Sequence, residues 1–318
     1  MKGLLKTKPA GNQLLVLIGI ALVSLFFIFN MVGVSVMSAI TGIKTAELMD
    51  SAKIDFSKPG MITYLRGMQV FNFISLFMIP TLAGAWLFSD QPKKYLGLQR
   101  KASFNYWIVG VGVLLIALPL VTGLGLLNRE IPFPDSMAKW MMAKEEDAAR
   151  TFRALLSRST VQDLIINIIC IAGLAAIGEE LLFRGMIQRL LIKIFKNPWA
   201  GIIATAFLFS AMHLQFYGFI PRFMLGILLG LVYWYSGSLW IAMLAHFVYN
   251  GVQIVMVYNN PAMLKDDTAG VSVPAVAMAS ALSAALVMLA VIWMRKKSTM
   301  TYTEVYAADA VPVKDHPF

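Results

Sequence analysis

Two carboxylates, a guanidinium, two imidazoles and an amide stand in runs of sequence that are otherwise apolar. Glu179 and Glu180 fall in Ala175-Ala-Ile-Gly-Glu-Glu-Leu-Leu-Phe-Arg184, His213 closes Phe209-Ser-Ala-Met-His213, and Asn250 closes His246-Phe-Val-Tyr-Asn250. An ionisable side chain inside a bilayer costs at least about 2.5–3.5 kcal/mol on insertion scales and usually marks function. Spacing sharpens the pattern. Glu180 and Arg184 are four apart, so on a helix they share a face and can pair. Glu179 then points about 100° away, free to face something else. His246 stacks with Asn250, and Phe209 with His213, by the same i, i+4 rule.

A carboxylate, two imidazoles and an amide can hydrolyse an amide bond. Glu179 in an apolar site is a credible general base toward water. An imidazole beside it can share the proton, while His246 and Asn250 can donate hydrogen bonds to the oxygen on which charge develops. The set Glu179, His213 and His246 also suits zinc with an open position, so a metal-activated water is an alternative use of the same atoms. Phe209 by itself reads as packing. Serine- and aspartate-based routes to amide hydrolysis find no support: a Gly-x-Ser-Gly turn is absent, and no aspartate lies deep in an apolar run.

The elements that must position these residues are membrane helices. Of 318 residues, 58% are hydrophobic and 14% charged, where a soluble domain carries about a quarter charged. A water-soluble enzyme is thereby excluded. The expected fold is all-α, a polytopic transmembrane helix bundle. About eight spans are expected, at Leu14–Ile40, Gly67–Phe88, Asn105–Leu127, Leu164–Phe183 with a longer tail, Ala200–Tyr217, Phe219–Tyr235, Leu239–Tyr258 and Val273–Met294. Residues 136–159 read as an amphipathic helix at the membrane surface before the fourth span. The polar tail from Ser298 to Phe318 is expected to fray. Trp107, Tyr217, Trp234, Tyr235, Trp240 and Tyr258 read as an interfacial belt.

The net charge of +10 reports topology. Lysines and arginines near the N-terminus, in the Pro92–Lys101 loop and after the last span place both termini in the cytoplasm, with the plasma (inner) membrane as the expected location. No basic patch interleaved with aromatics points to nucleic acid. The single cysteine, Cys170, excludes an internal disulfide and reads as a buried small hydrophobe. Taking the turn at Asn197-Pro198, Glu180 lies about 26 Å and His213 about 24 Å from the bend at 1.5 Å per residue. They fall at matching depth, with His246 within about one and a half turns of His213.

In order, the three motifs Glu179-Glu180-x-x-x-Arg184, Phe209-x-x-x-His213 and His246-x-x-x-Asn250 resemble the CPBP family of intramembrane proteases. That family includes CAAX prenyl endopeptidases and bacteriocin-processing and Abi proteins. The resemblance covers roughly residues 160–258, a catalytic core set between spans and loops of 1–160 and a last span and tail at 259–318. It implies that Glu179 and His213 activate the attacking water, that His246 and Asn250 stabilise the oxyanion, and that Glu180 and Arg184 are structural or orienting. A membrane-associated or lipidated protein or peptide would be the substrate and the bilayer a partner, with no nucleic acid. The family is classed both as metalloprotease and as glutamate-type; no cofactor is assigned, zinc is the candidate, and the lack of a His-Glu-x-x-His motif favours the metal-free use. A proton-coupled transporter and a catalytically silent scaffold or immunity protein are the competing classes.

Overall fold

The computed structural model describes residues 2–48, 54–99, 102–157, 160–264 and 272–298. The tail beyond Ser298 lies outside the described residues. Among the described residues nine long or medium helices follow one another: α1 (Ala10–Thr41), α2 (Met61–Phe88), α3 (Phe104–Arg129), α4 (Asp135–Leu156), α5 (Val161–Phe195), α6 (Pro198–Ala211), α7 (Phe216–Ser236), α8 (Leu239–Asn259) and α9 (Val273–Lys297). Among the described residues there is no strand, and seven helices, all but α4 and α6, are long and apolar enough to cross a membrane. The chain is an integral membrane protein.

The fifth expected span is where the outcome differs. α6 has 14 residues, about 21 Å of helix against a hydrocarbon core of about 30 Å. It stops because Leu214 takes a left-handed conformation, φ 52°, and the chain turns through Phe216–Gly218. α6 still reverses the chain as a span would. Gly201 abuts Ile192 of α5, while Ala206 and Ile202 meet Gly226 and Gly230 of α7, a falling register that only antiparallel neighbours give.

Local sequence explains the turns that set this hairpin. Lys196 ends α5 at φ 52°, and Pro198, which has no N–H to lose, opens α6. The Asn197 side chain caps α6 by accepting from the Ala200 N–H at 3.2 Å. Gly237, at φ 66°, caps α7 and turns the chain into α8. Behind α5, Phe73 and Phe77 of α2 pack against Gly178, and the start of α1 packs against its C-terminal end. α3, α7 and α8 close the opposite side.

Three expectations about single residues change. Trp234 and Tyr235 are 1% exposed and belong to the core, because α7 is covered by α3, α6, α8 and α9; they are not part of an interfacial belt. Cys170 is half-buried, since its face of α5 is only partly covered. A helix does form where the amphipathic pattern lies, over Asp135–Leu156.

The approach of α6 to α7 depends on a glycine. A Cβ at position 226 would stand 2.9 Å from Ala206 Cβ and 3.0 Å from its Cα, atoms that no rotamer can move. Gly226→Ala is therefore expected to lower stability by about 1–3 kcal/mol, measured as thermal unfolding in detergent; an unchanged melting temperature would contradict this packing.

Candidate active site

α5 is anchored before it reaches the site. The Thr160 hydroxyl caps it, accepting from the Asp163 N–H at 3.0 Å, and Arg66 of α2 donates to Asp163 at 2.8 Å and to Asn167 at 3.0 Å. Two π-helical stretches, Ile168–Gly173 and Phe183–Gln188, bracket the segment Leu174–Leu182 that carries both glutamates. Such widened turns are frequent at functional sites, though this chain also has them at Leu25–Gly33 and Phe73–Met78.

Glu180 and Arg184 pair as their spacing requires, Arg184 Nη1 donating to Glu180 Oε1 at 2.8 Å, with both side chains 0% exposed. Arg184 is held on two further sides. Nη2 donates to the Gly226 carbonyl at 2.9 Å, and the guanidinium lies 4.7 Å over the ring of Phe209. A desolvated ion pair is tolerable only with this kind of additional hydrogen bonding.

The same carboxylate orients an imidazole. His246 Nδ1 lies 2.9 Å from Glu180 Oε1, and an oxygen already accepting from Arg184 leaves the ring nitrogen as the donor. The other ring nitrogen, Nε2, thereby points to Glu179, 3.9 Å from its Oε2. His213 is fixed by a different partner: its Nδ1–H donates to the Phe209 carbonyl at 2.9 Å, because a carbonyl can only accept. Its Nε2 keeps a lone pair. Besides Arg184, Phe209 meets both imidazoles, edge-on to His213 at 5.3 Å and to His246 at 6.1 Å between centroids. Its role is packing, as expected, but it is packing at the centre of the site.

Glu179, His213, His246 and Asn250 all line one cavity of about 1190 Å³. Glu180 and Arg184 lie behind its wall. α3 and α4 add Arg129, Glu145 and Phe152 to the lining, so the cavity extends beyond the three motifs. The turn carrying His213 is pinned on several sides. Asn128 donates to the Phe216 carbonyl at 2.8 Å and accepts from the Ile220 N–H at 2.7 Å. Ser210 donates to the Phe219 carbonyl at 2.7 Å, and Arg222 grips Gln215. These contacts hold Leu214 in a conformation that costs a non-glycine residue about 1–3 kcal/mol.

Sequence reasoning overlooked Asn128, Gln215 and Arg222. Arg222 carried a usable signal: it is an ionisable residue inside an expected span, and the search for buried charge must take in bases as well as acids. As for metal, Glu179, His213 and His246 share the cavity, but among the described residues no group of three His, Cys, Asp or Glu side chains is disposed to hold an ion.

This geometry frames the likeness to known proteins. Residues 161–252 match the family model of the type II CAAX prenyl endopeptidase Rce1-like proteins. The matched stretch contains all three motifs and agrees with the family resemblance read from them. Over 121 residues the chain is 27% identical to the uncharacterized protein YpbD of Bacillus subtilis (strain 168), covering 37% of this chain and 57% of that relative. The chain thus spans little more than half the length of this relative. No solved structure matches.

Removing the cation alone tests the buried pair. Arg184→Met should leave Glu180 uncompensated and cost about 3–5 kcal/mol, while the double change Glu180→Gln with Arg184→Met should recover part of that loss. Thermal unfolding in detergent reads both; a single variant as stable as wild type would refute the pairing.

Proposed function

We propose that this chain is an intramembrane endopeptidase that hydrolyses a peptide bond of a membrane-associated or lipidated protein or peptide. The observation that supports it is the meeting of Glu179, His213, His246 and Asn250, from α5, the α6 turn and α8, on a single cavity. Glu179 accepts a proton from water, and His213 Nε2, kept as an acceptor by its bond to Phe209, steadies the other. The hydroxide attacks the scissile carbonyl carbon. Negative charge then develops on the carbonyl oxygen, where the Asn250 amide and His246 donate hydrogen bonds. Glu180 supports this by holding His246 from behind. As the tetrahedral intermediate collapses, the proton held by Glu179 passes to the leaving nitrogen, which restores the carboxylate.

The same proposal extends to location. Both termini lie in the cytoplasm of a cell whose plasma (inner) membrane holds the bundle, and α4 rests on the membrane surface beside the cavity mouth. The polar face of α4 suits that position. The match to a CAAX prenyl endopeptidase family supports a peptidase over the transporter and silent-scaffold classes.

Purified protein with an apolar peptide substrate tests the scheme. Glu179→Gln and His213→Ala should each abolish cleavage without loss of folded protein, and Asn250→Ala should lower kcat by about 10²–10³, the usual effect of removing one oxyanion donor. Cleavage retained by either of the first two would overturn the assignment. A chelator should leave the rate unchanged; loss that zinc restores would shift water activation to a metal.

A further inference from the structure

The cavity runs toward one end of the bundle. It follows α8 from His246 through Asn250 and Gln253 to Met263, in the short turn after that helix. On α3 its lining extends from Leu114 to Arg129, the last residue of the helix, and α4 adds Glu145 and Phe152. All three lead to the end where Arg66 donates to Asp163 and Asn128 to the Phe216 carbonyl. Toward the other end the bundle is packed shut. Phe183, Arg184, Met186, Gln188, Arg189 and Leu190 of α5 are at most 1% exposed, as are Tyr233, Trp234 and Tyr235 of α7. At this closed end the Gly3 N–H donates to the Trp86 carbonyl at 2.9 Å, and Ser298 donates to the Tyr235 carbonyl at 2.9 Å.

The two ends also differ in charge. Among the described residues, the closed end comprises 2–9, 89–99, 189–197 and 295–298, with eleven lysines and arginines against one acid, Asp90. The open end comprises 42–48, 54–66, 129–157 and 160–163, with eight bases and eight acids. Several of those bases meet an acid at close range there, as in Lys58–Glu47, Arg66–Asp163 and Arg153–Glu146. Lysine and arginine collect on the cytoplasmic side of a bilayer, and the anionic cytoplasmic leaflet attracts basic segments next to a span. Both effects favour the closed end as the cytoplasmic one.

We propose that the cavity opens on the extracytoplasmic face, so that its substrate is a polypeptide segment standing outside the cytoplasm, on a chain that has already crossed the membrane. The choice of substrate rests on the peptidase reading; the direction of opening does not. A protein tail held at the cytoplasmic leaflet would meet the packed end instead. From there to the site, α5 runs from Phe195 back to Glu179, about 24 Å of helix, through the buried residues that close the bundle. From the outer face, by contrast, a segment reaches Glu179 along the lining of α8 and α3. Entry on that side also brings it past α4, whose Glu145 and Phe152 stand in the wall.

The test is thiol labelling of the full-length chain in spheroplasts of a bacterial host with a sulfonated, membrane-impermeant maleimide. Cys170 is the single cysteine, so a Cys170→Ser background lets one introduced cysteine report alone; Cys170→Ala replaces it if the serine variant fails to fold. Gln253→Cys probes the cavity wall, Met263→Cys its mouth and Lys93→Cys the closed end. Should Gln253→Cys fail to fold, Asn260→Cys, also in the lining, takes its place. In closed spheroplasts the two cavity cysteines should be modified to completion, and Lys93→Cys not at all until the membrane is lysed. Modification of Lys93→Cys alone before lysis, or a cavity cysteine that reacts only after it, overturns the proposal. The substrate side is read with two single-span reporters that carry the same randomised apolar segments, one directed outward and one inward. Wild-type protein, but not Glu179→Gln, should cut the outward reporter and spare the inward one. Glu179-dependent cutting of the inward reporter overturns the proposal. If neither is cut while the cavity cysteines still react from outside, the direction of opening stands and it is the peptidase reading that fails.

Discussion

The structure is organised around one expensive contact, the Glu180–Arg184 pair buried without exposure in α5. Neither charge survives there alone, and the means of satisfying them reach into each neighbouring element. α7 supplies the Gly226 carbonyl, α6 the face of Phe209, and α8 the ring of His246. Satisfying a buried charge thus also assembles a site. The glycine at 226 that lets α6 approach α7 is the same residue whose carbonyl accepts from Arg184 Nη2.

From this pair the division of labour between adjacent glutamates follows. One helical step turns Glu179 toward the cavity and Glu180 toward protein. The buried one orients His246, and the accessible one faces His246 Nε2 across 3.9 Å. His213 receives its orientation from a backbone carbonyl instead. The two imidazoles are therefore differentiated by their Nδ1 partners, an anion for one and a neutral carbonyl for the other. The shortness of α6 has a purpose in the same arrangement, because a helix continuing past Ala211 would carry His213 onward in a regular spiral, whereas the turn at Leu214 lets Asn128 and Gln215 fix its surroundings.

Much of this was legible in the sequence because i, i+4 spacing in an apolar run reports directly on shared helix faces. The Glu180–Arg184 pair, the Phe209–His213 stack and the helical character of the whole chain were all of this local kind. Contacts between helices distant in sequence were not legible. Nothing in spacing says that His246 meets Glu180, 66 positions away, or that Asn128 clamps the turn before α7. The length of α6 was misjudged because Met212, Leu214 and Phe216 continue an apolar run through a segment whose backbone has already left the helix. Trp234 and Tyr235 were assigned to an interface since aromatic residues at span ends usually lie there; only the packing of four helices around α7 shows them to be core.

The central claim is that the buried Glu180 carboxyl group fixes the ring of His246 by accepting a hydrogen bond from its Nδ1. Ring-nitrogen NMR of histidine-labelled protein measures this directly, and the chain has only three histidines, His213, His246 and His316, to resolve. The account predicts a protonated Nδ1 on His246 whose resonance moves when Glu180 is changed to Gln, while the His213 Nδ1 resonance stays in place. A His246 ring with Nδ1 unprotonated, or one indifferent to Glu180→Gln, would contradict it.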